Sequence, residues 1–347
     1  MKIAVLVPNF AEYSGDARVT QQQVKELTRR GHHVSIFALA SSMPQKGANI
    51  FILGMPKSLF WQRIYRLLFP LNIFLFFQWL PKLKDNDLVI AHLYPMTWLA
   101  FLARKIHNVR YIFWFHGIED HRLFPNLYER IYMQLHLSLT KMTIRNADRI
   151  ISVSNFAKHS LRTFTGLDSQ VMYNQVDHER FHRGIDAQKI RQKYALGDSP
   201  VLLSVGRLAP QKGIHLLVES FGLVRKKYPK AKLVLAGDPT FRYYLDQLKA
   251  KSDESVIFAG HISTEEMPYY YGMCDVYATC SLWENHNLPV LEAQTAGKPV
   301  VAFAIEAFKE IAGENDMLVE TGNVEKFSEA CIEIIAKSRK DLTKVTR

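Results

Sequence analysis

Two cationic side chains, Arg207 and Lys212, lie close together on a segment with the residue types needed to bind a phosphate. They follow the apolar run 201–205 and Gly206, and they precede an amphipathic stretch over 214–228. This order predicts a strand, a glycine that permits close approach, a loop and a helix. Arginine and lysine both suit phosphate oxygens, and the amino end of a helix also favours anions. Two cations on a loop are usually solvated surface, but this order favours phosphate binding.

A second segment places two carboxylates around a predicted helix start. Glu284 precedes a helix that begins near Asn287, and Glu292 falls on its second turn. Asparagine is a common N-cap, and Pro289 is tolerated in a first turn. Carboxylates accept hydrogen bonds from vicinal hydroxyls, so two of them suit two sugar rings, and the first-turn amides suit an anion between those rings. The alternative is a helix with an ordinary acidic start.

The elements that must position these residues alternate along the chain. Strands apolar on both faces are typical of parallel sheets covered by helices on both sides. The pattern restarts after a charged, weakly periodic stretch over 177–199, which predicts two doubly wound α/β domains facing each other across a ligand-binding cleft. The predicted strands cover 3–7, 33–39, 87–92, 110–115, 149–153, 200–205, 231–236, 255–258, 275–279 and 299–303.

The excess positive charge is confined to the first predicted domain. Among 347 residues, 44 are lysine or arginine and 33 are aspartate or glutamate, a formal net charge of +11. With a boundary at Gly184, residues 1–183 hold 23 basic and 12 acidic side chains, whereas residues 184–347 hold 21 of each. A positive electrostatic field confined to one domain implies an anionic partner for that domain. Nucleic acid is one candidate, but no helix-turn-helix, zinc-finger, RRM or KH signature is present. An anionic membrane surface is the other.

The segment 57–84 favours a membrane surface. Its aromatic residues are interleaved with lysine and arginine, as in a helix that lies among lipid headgroups. Its apolar runs are far shorter than the ~20 residues of a membrane span, and Pro70, Asn72 and Gln78 interrupt them. An equally weighted alternative is an apolar helix packed on a sheet, with a few solvated charges at its start.

The composition excludes several protein classes. An apolar share of 48% and a charged share of 22% are typical of a globular protein and exclude disorder, collagen and a disulfide scaffold. The three cysteines have no metal-ligand spacing, and their scarcity is typical of a reducing cytosol. The run 3–7 follows Met1 without a cleavage-type flank, which predicts a buried first strand and a cytoplasmic protein.

Taken together, these segments resemble the retaining glycosyltransferases of family 4, which have the GT-B fold. The resemblance covers nearly the whole chain and is most specific over 201–303. The family's two glutamates, separated by seven residues, match Glu284 and Glu292. Its following helix and Gly-Lys-Pro-Val-Val segment match 294–301. The fold class implied is two Rossmann-like domains facing across a cleft.

The resemblance also implies roles for single residues. The domain over 1–183 would bind the acceptor and the domain over 184–347 the nucleotide-sugar donor. The donor diphosphate would be bound by Arg207 and Lys212, the donor sugar by Glu284 and the nucleotide ribose by Glu292. Gly237 and the segment 260–262 look like nucleotide-side loops, with the backbone of His261 and Ile262 at the base. The remaining donor-binding positions are Gly206, Asn287 and Leu288.

Two features of the first domain fit the same family. The segment 8–18 looks like its first strand-to-helix loop, in which Gly15 would let the backbone approach the donor phosphate. His116, after the predicted strand 110–115, is similar to the family's acceptor-domain histidine near the donor sugar. Among the thirteen histidines, His116 is singled out by this strand-end placement.

Three departures from the family pattern are present. The usual Gly-Phe-Gly is replaced by Asn285-His286-Asn287. Because asparagine tolerates left-handed dihedral angles, the loop shape is expected to survive, with His286 facing the donor sugar. The interdomain Asn-Gly-Val-Asp appears without its glycine over 174–177, which predicts a different hinge. The chain ends soon after a predicted helix over 323–338, which implies a truncated sequence or weaker coupling of the domains.

The predicted reaction transfers a sugar from a nucleotide diphosphate sugar to a glycan or lipid-linked glycan, with retained anomeric configuration. Cations at the leaving diphosphate would stabilise its developing charge, so no metal, cofactor or protein nucleophile is expected. The Asp-x-Asp over 85–87 is more typical of a turn than of a metal site. A GT-B epimerase or phosphorylase, and a non-catalytic sugar-nucleotide-binding protein, are the alternatives. The sequence leaves the donor nucleotide, the sugar and the linkage open.

Overall fold

The first 175 residues fold around a seven-stranded, all-parallel sheet. The structure is a computed structural model that describes residues 1–11, 15–42, 45–118 and 127–345. The strand order is β3-β2-β1-β4-β5-β6-β7, so the order reverses between β1 and β4. The strands are β1 (Lys2–Phe10), β2 (His33–Ser41), β3 (Ala48–Ile52), β4 (Leu88–His92), β5 (Arg110–Phe115), β6 (Arg149–Ser152) and β7 (Gln170–Val171). The helices are α1 (Gly15–Arg29), α2 (Leu59–Leu67), α3 (Ile73–Leu83), α4 (Met96–His107), α5 (Leu127–Ile144) and α6 (Asn155–Thr165).

The remaining residues fold around a second parallel sheet of six strands, in the order β10-β9-β8-β11-β12-β13. Its strands are β8 (Val201–Val205), β9 (Lys232–Ala236), β10 (Val256–Gly260), β11 (Val276–Thr279), β12 (Val300–Phe303) and β13 (Met317–Val319). The helices of this unit are α7 (Gln188–Lys193), α8 (Ile214–Lys227), α9 (Arg242–Ala250), α10 (Met267–Met273), α11 (Leu288–Thr295), α12 (Glu306–Ile311) and α13 (Val324–Val345). The prediction of two doubly wound α/β domains is confirmed.

Three short strands, β3, β7 and β13, lie at sheet edges and were not predicted. The central strands have long apolar runs because both of their faces are covered: residues 3–7 of β1 are almost fully buried. An edge strand lacks that cover, and β3 is largely half-buried or exposed. Its residues therefore carry little of the periodic signal on which strand prediction rests.

The division between the two units falls between Gln175 and Val176, inside the segment that resembles the family's interdomain motif. This is a few residues before the boundary expected at Gly184. The difference arises because the charged stretch 177–199 packs on the second sheet. Its apolar residues, including Phe181 and Ile190, are buried in the core of that unit.

The segment 57–84 forms α2, a short 3₁₀ turn and α3, and one face of α3 packs on the sheet, as the second interpretation expects; contact with a membrane stays a prediction. Leu75, Phe76, Trp79, Leu80 and Leu83 of α3 pack into the core of the first unit. On the opposite face, Phe74 is 89% exposed and Phe77 is 76% exposed. Across the described ranges, none of the helices has both the length and the hydropathy that a bilayer span requires.

Candidate functional site

Most of the predicted donor-binding residues lie at the carboxyl ends of β8, β9, β10 and β11. The first three strands end level with one another, since Val205 pairs with Ala236 and Ala236 with Gly260. The amide of Gly206 donates to the carbonyl of Ala236 at 2.9 Å, and that of Gly237 donates to the carbonyl of Gly260 at 2.8 Å. The strand ends therefore form a continuous rim of backbone.

Gly206 and Gly237 contact each other on this rim, and both have φ of +143°. A Cβ atom on Gly237 would overlap the carbonyl group of Gly206. The packing of the two loops thus requires glycine at position 237 before any ligand is considered.

The loop after β8 turns back onto the loop after β11 and brings Lys212 towards Glu284. Lys212 ends a 3₁₀ turn, and Gly213 follows with φ of +60°. A Cβ atom on Gly213 would overlap the carbonyl group of Cys280. The amide of Leu282 donates to the carbonyl of Gln211 at 2.9 Å. The two segments that sequence patterns predict separately are therefore joined through their backbones.

Lys212 and Glu284 form a partly buried ion pair, with Nζ and Oε1 2.5 Å apart. The side-chain exposures are 22% for Lys212 and 9% for Glu284. The same carboxylate oxygen accepts a second hydrogen bond, from Nδ2 of Asn287 at 2.7 Å. A buried carboxylate is stabilised only when it is paired and hydrogen-bonded, and here both conditions are met.

Asn287 is the N-cap of α11, as predicted. Its Oδ1 accepts from the amide of Val290 at 3.1 Å, so one side chain both caps the helix and holds Glu284. The expectation that left-handed asparagines preserve this loop is wrong. Asn287 has φ of −97°, and outside glycine the described residues with positive φ are Leu93, Asn108 and Ala195. Capping, which needs extended backbone, shapes the loop instead.

Glu292 lies on α11 and is 4% exposed. Its Oε2 accepts from the hydroxyl of Tyr271 at 2.7 Å. Burial raises the pKa of Tyr277, and the charges of Glu284 and Glu292 raise it further, so this hydroxyl is neutral. Sequence reasoning missed both tyrosines. The run Tyr269-Tyr270-Tyr271 was the available signal for one of them.

The other predicted residues of the second unit differ in exposure. Arg207 is exposed on the loop after Gly206. The Nδ1 atom of His261 lies 3.7 Å from a carboxylate oxygen of Asp238 on the same rim. The side chains of Ile262 and Leu288, which opens α11, are buried.

His286 is partly buried on the loop before α11. Burial lowers the pKa of His286 to about 4, although Glu310 and Glu284 oppose the shift. The imidazole is therefore neutral near pH 7. Its expected position facing the donor sugar stays a prediction.

In the first unit, Gly15 is the first residue of α1, and a Cβ atom there would meet none of the described residues within 4 Å. Part of the predicted phosphate loop over 8–18, residues 12–14, lies outside the described residues. The close approach of Gly15 to a phosphate stays a prediction.

His116 follows β5 directly, and its Nε2 lies 2.8 Å from Nδ1 of His92. The Nε2 of His92 lies 2.9 Å from Oε1 of Gln23 on α1. Burial lowers the pKa of His116 to about 4, against the opposing charge of Asp16. Strand-end placement does not single out His116, contrary to the prediction, because His92 is the last residue of the neighbouring strand β4.

The Asp-x-Asp over 85–87 forms a turn before β4, as predicted. A carboxylate oxygen of Asp87 accepts from the backbone amide of Lys2 at 2.7 Å. Since Lys2 begins β1, this turn lies at the amino-terminal edge of the sheet, away from the strand ends that carry His92 and His116. Within the described ranges, no group of histidine, cysteine, aspartate or glutamate has the arrangement of a metal site.

Two protein families match the chain in sequence, one for each unit. The family described as Glycosyltransferase Family 4 matches residues 13–180, and the family described as Glycosyl transferases group 1 matches residues 186–347. Together they cover almost the whole chain.

Individual relatives are more distant. The chain is 27% identical over 209 residues to the GDP-mannose-dependent alpha-(1-6)-phosphatidylinositol monomannoside mannosyltransferase of Mycolicibacterium smegmatis, covering 56% of this chain and 55% of that relative. It is 24% identical over 306 residues to the uncharacterized glycosyltransferase MJ1607 of Methanocaldococcus jannaschii, covering 82% of this chain and 75% of that relative. The chain thus spans about half the length of the first of these relatives.

The fold is also found among solved structures. The crystal structure of Anabaena HepE in complex with UDP and glucose superposes with a TM-score of 0.81 at 20% sequence identity. The superposition covers 98% of this chain and 91% of HepE. This likeness and the family matches confirm the predicted GT-B fold class.

Proposed function

Because the chain belongs to glycosyltransferase family 4, we propose that it transfers a sugar from a nucleotide diphosphate sugar to an acceptor with retention of anomeric configuration. The observation that carries the proposal is the joined group of Lys212, Glu284 and Asn287 at the carboxyl rim of the second sheet. Glu292 lies on the helix that Asn287 caps. One unit thus offers a cation for phosphate and two carboxylates for hydroxyls.

The chemistry assigned to these residues follows from their charges. An ammonium group has three N–H donors, and Glu284 accepts one from Lys212. In the described part of the chain no other group bonds Nζ, so two donors remain for phosphate oxygens. Together with Arg207 they would stabilise the charge that develops on the leaving diphosphate. No step requires a metal or a protein nucleophile.

The proposal is tested by Lys212→Ala and by Arg207→Ala. Each substitution is expected to lower kcat about 100-fold or more, as loss of one positioned charge-stabilising group does. Lys226→Ala is the matched control, since Lys226 is exposed near the other end of α8. Turnover within a few-fold of wild type for either variant would remove that cation from the mechanism.

Loss of Lys212 also leaves Glu284 without its cation, so a fall in Tm is expected beside the fall in kcat. The double variant Lys212→Ala/Glu284→Gln removes the uncompensated charge. It is expected to recover Tm without recovering kcat. Recovery of kcat together with Tm would mean that Lys212 acts only through stability.

The alternative activities are separated by incubating the wild-type chain with donor alone. A transferase with a water-accessible site releases nucleoside diphosphate slowly and leaves the remaining donor unchanged. An epimerase returns donor with inverted stereochemistry at one carbon. A protein that only binds the donor releases nothing, with or without acceptor. Anomeric retention is read from the NMR coupling constants of the transferred sugar.

For the acceptor, we propose a glycan or lipid-linked glycan reached from an anionic membrane surface on the cytoplasmic side. The exposed aromatic residues of α2 and α3 support this, because a bilayer interface covers such side chains. α5 enlarges the same surface. Arg63 of α2 forms an ion pair with Glu129 of α5 at 2.7 Å. The side chains of Leu127 and Ile131, two residues before and after Glu129, are exposed. The hydropathy pattern over 57–84 does not include α5.

A further inference from the structure

We propose that Gln23 and His92 are positioning residues that fix the tautomer of His116, so that Nδ1 of His116 accepts a hydrogen bond from a hydroxyl of the donor sugar. The proposal rests on the proposed function, because it takes His116 as a donor-sugar contact. It concerns two residues that neither the sequence patterns nor the family resemblance assigned.

Gln23, His92 and His116 form a chain of two hydrogen bonds, which we call the relay. The direction in which these bonds are donated is set by Gln23. Its Oε1 can only accept, so the 2.9 Å contact requires the proton on Nε2 of His92. His92 is fully buried, and burial lowers its pKa well below the ordinary value, so the ring is neutral and carries that single proton. Its Nδ1 is therefore a lone-pair acceptor.

The direction of the hydrogen bond between His92 and His116 follows from that of the bond between Gln23 and His92. Because Nδ1 of His92 accepts, the 2.8 Å contact requires the proton of His116 on Nε2. The ring of His116 is also neutral, since burial outweighs the nearby charge of Asp16. Nδ1 of His116 is left without a proton. In the described ranges, no protein group forms a hydrogen bond with that atom.

The three residues are positioned by secondary-structure elements of the first unit, since α1 packs on β1 and β2, and β4 pairs with β5 in the same sheet. Gln23 lies on α1, His92 ends β4, and His116 follows β5. His92 pairs in register with Trp114 and stacks on its ring, with centroids 6.0 Å apart and planes 27° apart. A relay of opposite polarity would need the amide group of Gln23 to donate, and it would place the proton of His116 on Nδ1.

The tautomer decides which sugars His116 can recognise. An unprotonated Nδ1 accepts a hydrogen bond from a hydroxyl. It forms none with a carboxylate, because both groups are acceptors and neither carries a proton to donate. The relay therefore favours donors with a neutral hydroxyl at this position over uronic-acid donors. Losing the fixed tautomer is expected to weaken donor binding about tenfold, the value of one hydrogen bond.

The test is a long-range ¹H–¹⁵N NMR spectrum of the full chain labelled at histidine, in which the two neutral tautomers give different nitrogen shifts. The signals of His116 are assigned by their loss in His116→Gln. An Nε2–H pattern for His116 in the wild-type protein is expected, and an Nδ1–H pattern would overturn the proposal.

Gln23→Leu removes the acceptor that starts the relay. It is expected to give mixed tautomers at His116 and a donor KM about tenfold higher, with kcat changed much less. Gln22→Leu, one residue earlier on α1, is the control and should leave both unchanged. An unchanged His116 spectrum in Gln23→Leu would also overturn the proposal. If that variant does not fold, the wild-type spectrum still decides.

These readouts separate this inference from the proposed function. The wild-type spectrum is recorded without substrate and needs no turnover. An Nε2–H pattern with inactive enzyme would count against glycosyl transfer but support the relay, and an Nδ1–H pattern with active enzyme would do the reverse.

Discussion

Gly15 and Gly237 are both predicted to lie near the donor, but only Gly15 offers a clean test of that role. Gly237 has positive φ and contacts the Gly206 carbonyl, so any side chain there strains the fold whether or not donor binds. A Cβ atom on Gly15 would meet no atom within 4 Å in the part of the chain that the structure describes, and its backbone needs no left-handed angle. A methyl group at position 15 would therefore contact a ligand that approaches the backbone without displacing any of the described residues.

Gly15→Ala is expected to leave Tm unchanged or slightly higher, since the substitution stabilises by about 0.4–1 kcal/mol where the backbone permits it. If the donor phosphate contacts this backbone, the donor KM rises about tenfold. Gly222→Ala in α8 is the matched control, because Gly222 is equally open and has no predicted contact. An unchanged KM in Gly15→Ala would show that the phosphate does not approach this glycine.

Local spacing predicted the chemistry of single residues but not their partners. Glu284, Asn287 and Glu292 lie within one loop and helix, so their placement followed from N-cap and proline preferences. The bond between Lys212 and Glu284 joins residues 72 positions apart, and it depends on how two loops meet beyond the sheet. His92 shows the same limit, because only the pairing of β4 with β5 brings it to His116.

At the scale of elements, α3 shows why a hydropathy pattern could not decide between core and interface. The helix is apolar nearly all round, and both uses require apolar side chains. The sheet covers one face, which leaves Phe74 and Phe77 exposed on the other. The edge strands illustrate the opposite case, because partial exposure removes the apolar signal that marks a strand.

The exposed face of α3 predicts a loss of vesicle binding in Phe74→Ser/Phe77→Ser. Covering one such side chain is worth about 1.5–3 kcal/mol, so removing two should weaken flotation with anionic vesicles by tenfold or more. Tm should change little, since both side chains are exposed in the folded unit. Tyr243→Ser is the control, an exposed aromatic residue of the second unit. Equal flotation of all three proteins would show that this face does not meet lipid.

At the scale of the whole molecule, the charge asymmetry does not depend on where the boundary is drawn. With the division found in the structure, residues 1–175 hold 21 basic and 10 acidic side chains, and residues 176–347 hold 23 of each. All of the excess charge still belongs to the unit that exposes the aromatic face. Apolar and electrostatic contributions to membrane binding would thus come from the same unit.

The dependence of vesicle binding on salt concentration distinguishes the electrostatic contribution from the apolar one. Basic residues near an anionic surface contribute about 1 kcal/mol each, and the effect is screened over a Debye length of about 10 Å at 0.1 M salt and about 3 Å at 1 M. Binding to vesicles with anionic lipid is therefore expected to fall steeply between these salt concentrations, towards the weaker level seen with neutral vesicles. Sedimentation at a series of salt concentrations measures this.

The variant Phe74→Ser/Phe77→Ser should bind more weakly at every salt concentration while keeping the wild-type salt dependence, because it changes no charge. Vesicle binding that does not change with salt concentration would contradict an electrostatic role for the basic unit. Binding to neutral vesicles as strong as binding to anionic vesicles would contradict it too. A variant curve that converges with wild type at high salt would mean that the two phenylalanines act only through the charged contact. Parallel curves would mean that apolar insertion and charge attraction contribute independently.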